Sequence, residues 1–343
     1  MRRVPLPRFL FLGLLLLAAI APARADTLLE RVRARGVLVC GVNEGVAGFS
    51  APDSQGIYHG LDVDYCRALA AATLGDPAKI RFVPTSYQTR FVLLQSGELD
   101  VLARNVTITL TREAALGALG VGVNFYDGQG FMVPRSRNIE HAKQLDGATI
   151  CVLPGSTSEV NLADYARRQG ITIQPVILSS MEEMTKAYQA GRCDAMTTDS
   201  SQLAALRVAA VQDPAAHVIL PERISKEPLG PMVMRGDEQW ALIAKYVLLA
   251  LVAAEEYGVT QANAAEMAAS SKDPDIRRML GAEPGLGKAL GLNEDWALRA
   301  IQAGGNYGET FERNLGKGSR IGLDRGLNDV WARGGLMYAL PLR

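Results

Sequence analysis

Histidine, cysteine and tryptophan are scarce, at three, four and three among 343 residues. The histidines, His59, His141 and His217, are scattered, and neither Cys-x-x-Cys nor close histidine spacing occurs, so a zinc centre lacks its ordinary sequence signals and no metal is expected. Gly-x-Ser-x-Gly and P-loop patterns are also missing, and no Ser/His/Asp grouping can be traced, so nucleophilic and phosphoryl-transfer enzymes find no support. An excess of either charge is lacking too: 36 basic residues face 36 acidic ones. That balance disfavours a nucleic-acid partner. No Gly/Ser, Gln or Pro tract interrupts a chain that is 48% hydrophobic and 21% charged, which excludes long disordered segments.

What is present begins with a secretory pattern. Arg2, Arg3 and Arg8 precede an apolar run over residues 9–21, and Ala23-Arg24-Ala25 supplies small residues where a signal peptidase reads. A membrane anchor is the rival reading, but the run is shorter than the roughly 20 apolar residues needed to span a bilayer. Cleavage after Ala25 is therefore expected, and no later segment reads as membrane-spanning. Four of the 36 basic residues, Arg2, Arg3, Arg8 and Arg24, leave with the signal, so the exported chain is mildly acidic. In an oxidising compartment the four cysteines favour disulfides, with three possible pairings. Cys40 with Cys66 and Cys151 with Cys193 is the expected set, because each pair lies in one half of the chain; free buried thiols are the alternative.

The length exceeds what one hydrophobic core usually organises. A helix over 27–35 precedes apolar 37–42, a buried parallel strand; helix 62–74, strand 80–84, helix 87–96 and strand 99–102 follow. The alternation restarts with strand 149–153, helix 159–169, strand 171–173, helix 181–190 and strand 194–198. Two α/β lobes are predicted, each with an open sheet whose ligand-facing loops leave the carboxyl ends of the strands. Extended, Gly-containing residues 126–133 suit a first crossing between lobes, and 224–231, with two prolines and a glycine, a return. The expected division is a signal at 1–25, lobe 1 at 26–130 and 227–343, and lobe 2 at 131–226. In the tail, helices are expected over 294–303 and 324–333.

Several motifs then converge. Gly60-Leu61-Asp62-Val63-Asp64-Tyr65-Cys66 resembles the signature of the polar amino acid family of ABC-transporter solute-binding proteins. Sharper is the ordered set Ser96-Gly97-Glu98-Leu99-Asp100-Val101, Arg104-Asn105-Val106-Thr107-Ile108-Thr109, Arg112-Glu113 and Tyr126-Asp127-Gly128-Gln129-Gly130-Phe131-Met132-Val133, which resembles the general L-amino-acid-binding subgroup. Gly305-Asn306-Tyr307-Gly308-Glu309, Glu312-Arg313-Asn314 and Arg325-Gly326-Leu327-Asn328 resemble its C-terminal extension. The resemblance implies a type II periplasmic binding protein with two crossover hinge strands. It implies a non-enzymatic receptor that takes a free L-amino acid, with broad specificity and no cofactor, and delivers it to ABC importer permease subunits.

It also implies the ligand-binding residues. A zwitterion needs a forked cation for its carboxylate and an anion for its ammonium. Arg112 matches the carboxylate-binding arginine, Asp199 the ammonium-binding aspartate, and Asn105 and Thr107 neighbours that hold the ligand through backbone or hydroxyl groups. Ser156 and Glu159 read as a capping box whose helix start can take an anion, with Thr157 donating to the carboxylate. Tyr87 matches a wall for the ligand side chain. Val46 stands where relatives place a large aromatic residue, and Asn43 and Glu44 share its loop. Asp62 and Asp64 read as helix-start residues outside the site, and Asp194 as turn chemistry. Two rivals are a periplasmic dehydratase-like enzyme on the same fold, which needs acid or base groups not seen here, and the sensing module of a membrane receptor.

Overall fold

The computed structural model describes residues 27–343, so the expected signal peptide lies outside the described residues. Two five-stranded sheets share one plan. In the first, Leu38–Val42 pairs in parallel with Ile80–Pro84 and with Val101–Leu102, and Met232–Met234 enters antiparallel between Val101–Leu102 and Ala118–Gly120. In the second, Thr149–Val152 pairs in parallel with Gln174–Ile177 and Ala195–Asp199, and Gln129–Pro134 runs antiparallel between Ala195–Asp199 and His217–Ile219. The antiparallel member of each sheet is the strand that arrives from the other lobe.

The crossings are themselves a two-stranded ribbon, Phe125–Asp127 antiparallel to Glu227–Leu229. Segment 126–133, read from the sequence as one extended stretch, thus divides at Gly128 into a hinge strand and a strand of the second sheet. This corrects the lobe border at 130/131, because Gln129 and Gly130 already pair with Asp199 and Thr198. Close approach of the crossings requires a residue without Cβ at Gly230, where a Cβ would lie 2.0 Å from the carbonyl oxygen of Gly122.

Burial follows the strand period. In the second lobe Phe131, Val133, Ile150 and Val152 feed one apolar cluster, while Met132, Cys151 and Met196 feed another on the opposite face. In the first lobe Leu61–Leu74, Glu238–Glu256 and Trp296–Gly304 cover the sheet, with Trp240 and Trp296 fully buried. Cys40 is bonded to Cys66, tying strand Leu38–Val42 to helix Leu61–Leu74, and Cys151 to Cys193 beside the second sheet.

Three expectations from the sequence need correction. Strand 171–173 forms at Gln174–Ile177 instead, because the left-handed cap at Gly170 and the turn after it consume three more residues. Residues 324–333 are not a helix but two short 3-10 turns, Gly326–Asn328 and Trp331–Arg333, in a segment held by polar contacts. Arg325 makes a forked contact with Glu255 at 3.0 Å for each nitrogen and lies over the rings of Tyr307 and Phe311. Asn328 exchanges two hydrogen bonds with the backbone of Tyr126, so the tail grips the first hinge strand.

Asp62 and Asp64 are the third. Both stand in the first turn of the helix and outside the cavity, as expected, but neither caps it, and its start at Gly60 has no side-chain cap. Asp64 accepts from Arg313 and Asn314 at 2.7 Å each, fastening the tail. Asp62 is buried and accepts from the Asn105 backbone N–H (2.7 Å) and the Asn124 amide (2.9 Å), which fixes the loop after Val101–Leu102. Burial pushes its carboxyl up to about 6, opposed by those donors and Arg104. The proton is thus held more tightly in the folded chain than in the unfolded one. Wild-type stability relative to Asp62→Asn is expected to be greatest below pH 4 and to fall by about 3 kcal/mol as pH rises to 7. Urea titrations at pH 4 to 7 check this, and a pH-independent difference contradicts it.

Candidate functional site

Every loop at the cleft leaves the carboxyl end of a parallel strand. Tyr87 follows Ile80–Pro84, Asn105 and Thr107 follow Val101–Leu102, Ser156 and Thr157 follow Thr149–Val152, and Asp199 ends Ala195–Asp199. These six and Arg112, at helix Leu110–Ala114, line one cavity between the lobes, together with Arg90, Ser158 and Thr198. All seven residues singled out in the sequence are brought together, and Arg112 and Asp199 approach from opposite lobes.

Local chemistry explains each placement. Asn105 takes a left-handed backbone (φ 45°), which asparagine tolerates, and its side-chain oxygen accepts from Asn43 at 2.6 Å. Thr109 caps the helix of Arg112, whose guanidinium donates to the Thr107 carbonyl at 2.7 Å. Ser156 caps Thr157–Gln169 by accepting from the Glu159 N–H, but the expected reciprocal bond goes one residue further out, from the Gly155 N–H to Glu159. The first-turn N–H groups of a helix have no partner within it and can take an anion, and Thr157 and Ser158 of this turn line the cavity. Asp194 sits at the far end of its strand, bonded to Thr149 and paired with Arg137, as turn chemistry predicts.

The cavity is dominated by buried charge. Arg90, Arg104 and Arg112 are all buried, and among the described residues none has a carboxylate within ion-pair distance. Arg90 donates to the Gly155 carbonyl across the cleft at 3.1 Å, and its Nε has no partner. Arg104 donates to Asn43, and its Nε is likewise unpartnered. Tyr87 contacts both, its ring centre 4.5 Å from the Arg90 and 4.4 Å from the Arg104 guanidinium carbon. Burial, then the neighbouring Arg104 and Arg112, push Arg90 well below the ordinary arginine range. The ring expected as a wall at Tyr87 thus has two guanidiniums against it.

Asp199 is the opposite pole. Burial, then Asp127 and Glu227, raise its carboxyl well above the usual range, against the pull of Arg112 and Arg90. That carboxyl makes no hydrogen bond among the described residues. Glu227, only 1% exposed, begins the return hinge strand and lies behind the cavity. It accepts from Thr107 (2.5 Å), Thr157 (2.9 Å), Asn161 (2.7 Å) and Ser225 (2.6 Å).

Sequence reasoning missed Arg90 and Glu227. For Arg90 a signal existed, since it is four residues before Leu94 on the core-facing side of Arg90–Gln95, where an arginine needs a reason. Glu227 gave none, being one acid in a polar connection. Val46 is buried in the first lobe's core and, with Asn43, Glu44, Tyr87, Met181 and Lys186, lines a wider groove adjoining the cavity at Tyr87. Among the described residues no group of three or more His, Cys, Asp or Glu could hold a metal, and no helix is long and apolar enough to cross a membrane.

The family model for bacterial extracellular solute-binding proteins, family 3, matches residues 38–211. A glutamate/glutamine/aspartate/asparagine-binding protein of Rhodobacter capsulatus is 53% identical over 97% of this chain and 98% of its own length. A general L-amino acid-binding periplasmic protein of Rhizobium johnstonii is 50% identical over 97% of each chain. A solved periplasmic binding protein from Brucella ovis, with glutathione bound, superposes with a TM-score of 0.90 at 50% identity over 93% of this chain and all of its own. These relatives are solute-binding proteins and not enzymes, which disfavours the dehydratase-like alternative. The family model and these relatives, similar over nearly the whole chain, show that this chain belongs to the family 3 bacterial extracellular solute-binding proteins.

Proposed function

We propose that the protein works in the periplasm as a receptor of broad specificity, clamping one free L-amino acid between its lobes and delivering it to the permease subunits of the importer. The observation that carries this reading is the convergence of Arg112 and Asp199 from opposite lobes on one buried cavity. Arg112, with the first-turn N–H groups of Thr157–Gln169, takes the α-carboxylate, and Asp199 takes the α-ammonium. Each partner alone is held weakly by an open cleft. Closure brings Asp199 and Thr157 onto an amino acid already on Arg112, so binding energy is realised in the closed form.

Breadth follows from what these groups read, the backbone common to all α-amino acids. Preference within that breadth comes from Arg90, whose unpartnered Nε is suited to a side-chain oxygen of glutamate, glutamine, aspartate or asparagine. The names of the Rhodobacter and Rhizobium relatives agree with such a range. Beyond Tyr87 the wider groove leaves room for an extended side chain, consistent with the glutathione of the Brucella relative. The family description as extracellular, the secretory pattern at 1–25 and the bonded cysteines support the location.

Arg112→Ala and Asp199→Ala are each expected to lose about 2–5 kcal/mol of binding to glutamate, glutamine and alanine, because each strands the opposite ligand charge in a dry cleft. Unchanged calorimetric affinity in either variant contradicts the assignment. Arg90→Met separates side-chain from backbone recognition. Its glutamate affinity is expected to drop about 10- to 100-fold with alanine changed less than about threefold; an equal loss for both ligands removes the selectivity role.

A further inference from the structure

Glu227 sets the direction of two hydroxyl hydrogen bonds at the site. A threonine hydroxyl carries one proton and two lone pairs, so once the proton is committed, the remaining surface of the oxygen can only accept. Thr107 and Thr157 both line the cavity, one from each lobe, and their oxygens are 3.4 Å apart. Both donate to the same carboxylate oxygen, Oε2 of Glu227, which is buried behind them. The other oxygen of Glu227 is saturated by Asn161 and Ser225, so the carboxylate is held in one orientation. No other buried carboxylate bonds side chains of both lobes in this way among the described residues.

We infer that Glu227 is a positioning residue for amine recognition: by taking the hydroxyl protons of Thr107 and Thr157 it turns both oxygens into acceptors that, with Asp199, hold the ligand α-ammonium. This rests on the zwitterion reading above and sharpens it. Thr157 then serves the two ends of the ligand with different atoms, its backbone N–H group toward the carboxylate and its hydroxyl oxygen toward the ammonium. The donation to the carboxylate expected of Thr157 thus falls to its backbone N–H, and its hydroxyl accepts from the amine. A receptor so arranged discriminates against dicarboxylic acids that lack the amine, because those leave two acceptor oxygens and Asp199 crowded together without a donor.

The test compares L-glutamate with glutarate, the same molecule without its α-ammonium, on the full exported chain by calorimetry, with glutarate measured in competition. Glu227→Met removes the acceptor while keeping an unbranched side chain, and Thr157→Val removes one hydroxyl while keeping its shape. Both are expected to weaken glutamate about 10- to 100-fold while changing glutarate less than about threefold. Equal losses for the two ligands in both variants would mean that Glu227 only pins the lobes, and unchanged glutamate affinity would mean that the hydroxyls do not touch the amine; either overturns the inference. If Glu227→Met does not fold, as circular dichroism and thermal melting would report, Thr157→Val decides the question by the same ratio. Failure of the wild-type protein to bind any amino acid is a separate result, and it would strike the zwitterion reading itself.

Discussion

Charge buried in the seam between the lobes is the constraint on which the rest of this structure depends. Removing an ion from water costs on the order of several kcal/mol even after the protein relaxes, unless partners replace the lost solvent. Arg90 and Arg112 line one cavity, with Arg104 buried against Tyr87 beside it; among the described residues none of the three has a carboxylate within ion-pair distance, and the Asp199 carboxyl stands opposite with no hydrogen bond. The two poles attract, as the pull of Arg112 and Arg90 on Asp199 indicates, but they do not meet. A molecule bearing both charges one carbon apart completes each pole, so ligand and closure stabilise one another.

Holding unpaired charges in place requires a rigid frame, and the fold supplies it from behind. Asp62 fixes the backbone of Asn105, Asn43 holds both Asn105 and Arg104, and the Tyr87 ring contacts two guanidiniums. Glu227 does the same for the threonines on the hinge side. The C-terminal extension belongs to this frame, since Asn328 bonds Tyr126 and the Tyr307 hydroxyl bonds the Asn124 carbonyl, at the start of the first crossing. A tail without long regular elements near its end therefore still constrains the part of the molecule that must bend.

Legibility in the sequence divided along physical lines. Periodicity located most strands and helices because each lobe buries alternating faces, and the βα order alone placed the site at strand ends, where all seven chosen residues meet. Position along the chain was less exact where a turn consumed residues, as between Gly170 and Gln174, or where one extended run served two sheets, as at Gly128. The segment 324–333 misled because its order comes from polar contacts with distant residues, Glu255 and Tyr126, which leave no local pattern. Glu227 was illegible for the same reason, since its four donors come from Thr107, Thr157, Asn161 and Ser225. Arg90 was readable in principle, as an arginine on the inward side of an apolar helix, but only three-dimensional closeness to Tyr87 and Gly155 reveals what it is for.

The central claim is that the cavity requires both charges of one small molecule. A thermal-shift screen of the exported chain against the twenty amino acids, with glutarate and butylamine as controls that carry charge of one sign only, tests it most directly, because a ligand that binds only the native state raises the melting temperature by mass action. The account predicts that many L-amino acids raise it, with the acidic and amide members foremost, and that neither control does so to a comparable extent. A melting temperature unmoved by every amino acid, or raised equally by the controls of one charge sign, would contradict it.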